Sequence, residues 1–352
     1  MIEETILAIE TGKDLYNMEG IKYLLPQTQY YKANLHTHST ISDGKLSPSE
    51  VKDLYKAKGY QILALTDHNI IVDHSSMNEP DFLMLTAVEV NLNHQNYRPG
   101  FDGQTYHFNL ISKKSDHLWV PGKAPSKYPG GLEYAKKMTC EEMELSHSVA
   151  SANAMIAKAN EMGFLVIYNH PTWSCHSYPD YAPLKGLWGM ELRNSECCML
   201  GNSEDNPRVF KDLLNLGNQL YPVGADDMHT PRAAGLSWIM VGAPELRYDR
   251  VIGALEKGDF YMSCGPEICS LTIDGNILKI TCSEAHHITL ESHGRFARRA
   301  ASDDGSCIRE AEFDLTAFFN KADDPSMYIR LTVTAPDGTY AATRAYFLNE
   351  LI

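Results

Sequence analysis

Positive charge is scarce in this sequence: 31 Lys and Arg stand against 45 Asp and Glu, a formal net charge of −14. A broad basic face is therefore excluded, and with it extended nucleic acid or an anionic membrane surface held by charge. Long hydrophobic runs are missing as well. No stretch approaches the roughly 18 consecutive apolar residues of a membrane-spanning helix. The start, Met1 to Glu10, holds three glutamates and no basic flank or long apolar core, so it does not read as a secretory signal. The eight cysteines form no C-x-x-C pair, and Cys197 and Cys198 are adjacent, which suits neither a disulfide ladder nor a zinc ribbon. Reduced thiols in a cytoplasmic protein are the expectation. There is no G-x-S-x-G elbow, no internal repeat and no low-complexity segment.

What is present is a chain of 352 residues, 43% apolar and 22% charged, the balance of an ordinary soluble globular protein. Apolar runs repeatedly end in residues able to bind metals. Tyr31 to Leu35 delivers His36 and His38; Gln61 to Leu65 delivers Asp67 and His68; Phe82 to Val90 contains Glu89. Phe164 to Tyr168 then delivers His170, Met190-Glu191-Leu192 leads to Arg193 and Asn194, and Leu220 to Gly224 delivers Asp226, Asp227 and His229. Helical patterns separate these runs. Ser47-Pro48-Ser49-Glu50 is a capping box with Pro at the first helical position, while Val149 to Met162 and Val209 to Leu216 each stop at a glycine. Strand and helix alternate as in a mostly parallel sheet, and polar residues at the C-terminal ends of parallel strands are where barrel enzymes keep their chemistry. His107 fits less well, because it precedes its apolar run, Phe108 to Ile111.

Residues from about 112 to 145 show little periodicity and read either as a lid or as a solvated excursion. After Gly265-Pro266 the style changes to short alternating segments rich in Thr, Ile and Val, with Asp274-Gly275 and Asp337-Gly338 where hairpin turns belong. Two domains are expected, 1–266 and 267–352, the second a small β-sandwich.

His36-x-His38 on an extended segment places both imidazoles on one side, because strand side chains alternate. Two neutral nitrogens so placed suit a borderline divalent metal. Glu89 lies in a strongly apolar strand, and a buried carboxylate without a cationic partner costs several kcal/mol. A pair of metal ions would compensate it. In order along the chain, "NLHTHSTISDG", "LALTDHN", "TAVEVN", "YNHPTW" and "GADDMHT" resemble the motifs of the PHP (polymerase and histidinol phosphatase) family of metal-dependent phosphoesterases, over roughly residues 30 to 265. The segment after Tyr261 to Pro266 also resembles two-domain bacterial members, a branch that includes carbaryl-type ester hydrolases.

The resemblance implies a distorted (β/α)7 TIM-like barrel and three metal sites. His36, His38 and Asp227 would hold the first ion, with Glu89 bridging to a second completed by His107 and His170. Asp43, His68 and His229 would hold the third. Two departures stand out. The family's usual G-S-D-x-H reads Gly224-Ala225-Asp226-Asp227-Met228-His229 here, where the D-x-H spacing selects Asp227. His107 sits in the least distinctive motif, "YHFNLI", with His94 as its competitor; His74, His147 and His176 match no motif and read as surface or structural.

Two or three Mn, Fe or Zn ions are expected, with a metal-bridging hydroxide as nucleophile and no separate side-chain nucleophile. The expected substrate is a small anionic phosphate ester, a phosphorylated metabolite or short nucleotide, gripped by Arg193 and Arg232. A metal-dependent carboxyl- or carbamate-ester hydrolase and a metal-holding binding module are the alternatives.

Overall fold

A computed structural model describes residues 20–94, 103–123, 127–320, 324 and 326–351. The reading of Met1 to Glu10 falls outside the described residues. The three anticipated helices form at Pro48–Ala57, Val149–Glu161 and Pro207–Asn215. Ser47 and Glu50 close the capping box reciprocally, and Val51 and Tyr55 turn into the core. No described helix is long and apolar enough to cross a membrane. None of the eight cysteines is in a disulfide.

The strands of the first part are β1 (Ile21–Tyr23), β2 (Tyr30–Asn34), β3 (Ile62–Leu65), β4 (Leu83–Asn93) and β5 (Thr105–Ser112). A short parallel pair follows, β6 (Trp119–Pro121) with β7 (Thr139–Glu141), and then β8 (Phe164–Tyr168), β9 (Gly189–Asn194), β10 (Tyr221–Ala225), β11 (Trp238–Gly242) and β12 (Phe260–Ser263). In one long sheet they run β10-β9-β8-β5-β4-β3-β2-β11-β12. The triplets β2-β3-β4 and β8-β9-β10 are each parallel, but β5 lies antiparallel between β4 and β8. That reversal accounts for His107. The start of β5 lies at the same end of the sheet as the C-terminal ends of its neighbours, so a residue ahead of the apolar run reaches the same place as those that follow one.

The sheet curls without closing as a continuous ladder. Its edge strand β10 approaches β2 only beyond the strand ends, where Thr37 and Met228 form an isolated parallel bridge. Asp227 N donates to His36 O at 2.9 Å and His38 N to Met228 O at 3.0 Å. A side chain at Gly224 would stand 3.0 Å from the Trp238 carbonyl oxygen, so glycine lets β10 lie this near β11 without crowding. Fully buried Leu85, Val88, Val166, Met190 and Val223 belong to the core beneath.

The C-terminal strands are β13 (Ile268–Asp274), β14 (Ile277–Ala285), β15 (His287–Ser292), β16 (Ala297–Ala300), β17 (Ile308–Asp314), β18 (Tyr328–Thr334), β19 (Tyr340–Thr343) and β20 (Tyr346–Phe347). The expected turns fall at Asp274-Gly275 and Asp337-Gly338. Two sheets enclose a second apolar core that includes Leu271, Ile280, Leu290, Leu331 and Val333. One sheet is β1-β13-β14-β17, to which the chain's early residues contribute β1. The other continues the long sheet from β12 through β19, β18 and β15 to β16, with Tyr261 opposite Thr343. The change of sequence style near Pro266 therefore does not coincide with a break in the sheet.

Candidate metal centre

The site is built where strand ends converge. Behind β2, His36 N donates to the Asn34 side chain at 3.0 Å, and the segment is then held on both flanks. Thr66 N donates to Thr37 O at 2.8 Å on one side, and Met228 lies on the other. The alternation expected of His36-x-His38 holds: the two Nε2 atoms are 3.2 Å apart. β3 leads into Asp67 and His68. Asp67 is fully occupied with the neighbouring loop, accepting from Ser39 N at 2.9 Å, Ser39 Oγ at 2.8 Å and Ser42 Oγ at 2.7 Å. It thereby fixes the turn that carries Asp43. The left-handed region of backbone conformation, unusual outside glycine, is occupied by Asn69, His170, Cys175 and Asp227, with φ between 24° and 58°. Three of these belong to the motif segments themselves.

Glu89 is the hub. Its Oε1 lies 2.9 Å from His107 Nδ1 and 3.3 Å from both His36 Nε2 and His170 Nε2. Its Oε2 lies 3.3 Å from His38 Nε2 and 3.0 Å from His68 Nδ1. Asp227 Oδ1 stands 3.1 Å from His36 Nε2 and 3.0 Å from His38 Nε2. Asp43 reaches His68 at 3.5 Å, His229 at 3.6 Å and His38 at 3.7 Å. All nine residues expected as ligands thus share one cluster. Their donor atoms fall into overlapping sets: His38, Asp43, His68 and His229; His36, His170 and Asp227; His36, His38 and Glu89; His68, Glu89 and His107. The last expected aspartate divides as its spacing implied. Asp227 enters the cluster, whereas Asp226 turns away to accept from Tyr55 Oη and the backbone of Leu236 and Ser237, each at 2.9 Å. His94 stands elsewhere, beside His147 with ring centroids 6.0 Å apart.

Several participants were not anticipated. Glu191 accepts from His36 Nδ1 at 2.6 Å, and its other oxygen accepts from His170 N at 2.9 Å and Asn194 Nδ2 at 3.0 Å. Asn194 Nδ2 also donates to Asp227 at 3.0 Å, and Asn169 Nδ2 to Glu89 at 2.9 Å. Such partners fix ring orientation and raise the basicity of the nitrogen that faces a metal. The signal for Glu191 was available: it is a carboxylate inside an apolar strand, as Glu89 is. Glu196 accepts from the His229 backbone N–H at 2.5 Å.

Electrostatically the cluster is a standoff between burial and mutual charge. Burial pushes Glu89 and Asp227 up, but the histidines around them outweigh it and hold both well below the usual carboxylate range. Burial lowers His36 and His38, yet the surrounding carboxylates raise His36 well above its ordinary value and His38 to about 10. His68, with burial dominant, is lowered to about 3. Without cations the carboxylates are balanced by protons on imidazoles. Asp227 Oδ1 and His68 Nδ1 are buried, and their close approaches to the neighbouring imidazoles and to Glu89 lack hydrogen-bond geometry, a condition that costs free energy unless a ligand completes them. Imidazole nitrogens and carboxylate oxygens in this proportion suit borderline divalent cations, and the residues fit them.

Above the cluster opens a cavity of about 380 Å³, lined by Glu89, His107, Asp227 and His229 and by Trp173, Glu196, Cys197 and Leu200. Trp173 packs edge-on against His170, ring centroids 4.8 Å apart. Tyr128, from the long insertion, stacks on His68 at 6.0 Å, so that part of the insertion packs at the site rather than leaving it. No described Lys or Arg lines the cavity. Arg193 instead pairs with Asp205, which also accepts from Tyr340 Oη at 2.8 Å. The pairing of β9 with β10 shifts register between Glu191 and Arg193. Arg232 is exposed in a short turn of 3-10 helix at Pro231–Ala233.

No family model matches the chain. A curated 5'-3' exoribonuclease of Haemophilus influenzae is 41% identical over 66 residues, which are 18% of this chain and 24% of that protein. The match thus spans about a quarter of the relative's length. Among solved structures the chain is similar to a two-domain protein from Bacteroides vulgatus, described as containing a predicted PHP-like metal-dependent phosphoesterase. That likeness has 15% identity and a TM-score of 0.44, covering 93% of this chain and 97% of the other. A lesion-specific endonuclease from Pyrococcus furiosus is also similar, at 12% identity and a TM-score of 0.40, with 65% of this chain and 56% of that one covered.

Proposed function

We propose that the chain is a metal-dependent phosphoesterase acting on a small phosphorylated metabolite or short nucleotide. The observation that carries the reading is Glu89, whose two oxygens face different sets of histidines on the floor of an open cavity. Simple metal storage needs no such opening. In this reading the strands β2 to β5 and β8 to β10 form a distorted barrel, with the Thr37–Met228 bridge as its seam. His36, His38, Asp43, His68, Glu89, His107, His170, Asp227 and His229 hold two or three ions of the Mn, Fe or Zn kind. Bound there, such ions supply a water acidified to near neutral pH and positive charge beside the phosphoryl oxygens.

The chain's own residues do the rest. Glu191 and Asn194 hold His36, His170 and Asp227 in place. Trp173 and Leu200 give the cavity an apolar wall suited to the uncharged part of a substrate, a base or an alkyl group. Cys197 lines the cavity, but burial pushes its thiol far up, so it is not a thiolate nucleophile. The similarity to an exoribonuclease favours a nucleotide over a sugar phosphate.

One observation favours a second reading, a carboxyl- or carbamate-ester hydrolase: no described Lys or Arg lines the cavity. A neutral ester needs none. The discriminating experiment assays metal-reconstituted protein on p-nitrophenyl phosphate, bis-p-nitrophenyl phosphate, a 5'-phosphorylated dinucleotide and p-nitrophenyl acetate. Faster turnover of a phosphorus ester, lost on chelation, is expected. Faster turnover of the acetate would establish the second reading, and inactivity on all four with full metal content would remove both.

A further inference from the structure

A second group of histidines lies outside the cluster. His147 precedes the helix Val149–Glu161, and His176 sits on the loop that follows His170. Their Nε2 atoms face each other at 3.2 Å. Tyr106 covers both rings, stacking on His147 at 4.6 Å and lying 4.2 Å from His176 between centroids. The imidazole of His94 stands on the other flank of His147, at 6.0 Å between centroids. His176 Nδ1 is hydrogen-bonded to Tyr168 Oη. The backbone brings these elements together independently of any ligand, since His147 N donates to Asn93 O at 3.3 Å and Gln104 Nε2 to Cys175 O at 2.9 Å.

We propose that His147 and His176 form a second binding site for a borderline divalent cation such as Zn²⁺, the remaining coordination positions being left to water. Two nitrogens bound to one tetrahedral zinc at 2.0–2.1 Å stand roughly 3.3 Å apart, close to the 3.2 Å observed between the two rings. Burial, ahead of the neighbouring charges, lowers both imidazoles, His176 to about 3, so near neutral pH each is in the unprotonated form that binds metal. With Nε2 on the ion, His176 Nδ1 keeps its proton and donates to Tyr168, the outer-shell arrangement common to metal-bound histidines. The ion would staple the Pro171–Ser177 loop, and with it Trp173 in the cavity wall, to the segment ahead of the helix.

The test uses protein carrying its main-cluster ions, equilibrated with Zn²⁺ and counted by elemental analysis after gel filtration. One zinc per chain beyond the main complement is expected, lost in His147→Ala and in His176→Gln while the main complement stays. A matching control is His286→Ala/His287→Ala, because those exposed rings also approach, at 3.0 Å between Nδ1 atoms. That variant should keep the extra zinc. Zinc should also raise the unfolding temperature of the native protein and not that of His176→Gln, a readout that shows the variant is folded. No additional zinc in the native protein, or additional zinc that survives both substitutions, leaves the imidazoles sharing only a proton and overturns the site. Neither result bears on the phosphoesterase assay.

Discussion

Ahead of Pro266 the described chain buries His36, His38, Asp67, Glu89, His107, His170, Glu191 and Asp227; after it, the buried polar side chains are Ser292, Arg330 and Thr343. Backbone conformation divides in the same way. Among the described residues, the four non-glycine residues in the left-handed region precede Pro266, and between the C-terminal strands that region is taken by Gly275, Gly294, Gly305 and Gly338. Both halves have apolar cores and comparable strands, so folding alone does not demand the buried charge or the strained turns. A left-handed conformation at a non-glycine residue costs roughly 1–3 kcal/mol. The first half sustains that at His170 and Asp227 because those turns aim an imidazole and a carboxylate at the same point. Among the described residues of the second half there is no such point to aim at and no such residue.

The contrast is open to attack by substitution, and the largest effect should come from its centre. Glu89→Gln removes the negative charge shared between two histidine sets while keeping the volume. A drop in kcat/KM of at least about a thousandfold is expected, some 4 kcal/mol of transition-state stabilisation. Elemental analysis should show fewer ions per chain. Retained metal with retained activity would show that the carboxylate is only a buried ion pair.

A change of comparable energy but different kind should follow Leu331→Ala, in the fully buried core of the C-terminal sandwich. Leu-to-Ala changes in such cores destabilise by about 2–5 kcal/mol. Denaturant unfolding should register that loss, while ions per folded chain remain those of the native protein. A smaller metal complement in the folded variant would mean the two halves are less separate in function than their polarity suggests.

Glu191→Gln comes next. It leaves every proposed ligand in place but removes the charge behind His36, and a 10- to 100-fold weakening of metal affinity is expected, the usual range for such partners. Competition with a chelator measures it. The smallest effect belongs to Arg193→Ala, whose partly buried ion pair with Asp205 stands apart from the cavity lining. Less than a tenfold change in turnover is expected, since neither partner lines the cavity. A larger loss confined to phosphorus esters would return Arg193 to the role its position at a strand end first implied.

The motifs that meet in the cluster were legible because each is local: an apolar run ends, and the polar residue follows within a few positions. Glu89 was legible from the mismatch between its charge and its strand. Glu191 presents the same mismatch in a shorter run, Met190 to Leu192, and its meaning appears only when β9 is set opposite His36 and His170. The direction of β5 was not legible, since an antiparallel strand has the same alternation as a parallel one, and only the unexplained position of His107 hinted at it. The closeness of His147 to His176 was equally hidden, because it depends on two loops meeting. The pairing of Arg193 with Asp205 was hidden for a similar reason: the register shift between Glu191 and Arg193 sets it apart from the strand-end pattern, and nothing in the sequence marks a shift.

The pairing of β12 with β19 has a consequence for solubility. A strand that ends a sheet offers unpaired backbone donors and acceptors to any other chain, and proteins blunt such edges with charge, bulges or a cover. At Phe260–Ser263 the sequence is Phe-Tyr-Met-Ser, uncharged and without proline, the kind of edge that invites aggregation. Here it is capped by β19, while β16, at the far end of the same sheet, carries Arg298 and Arg299. The C-terminal strands thus carry the sheet from an adhesive border to a charged one that discourages further growth.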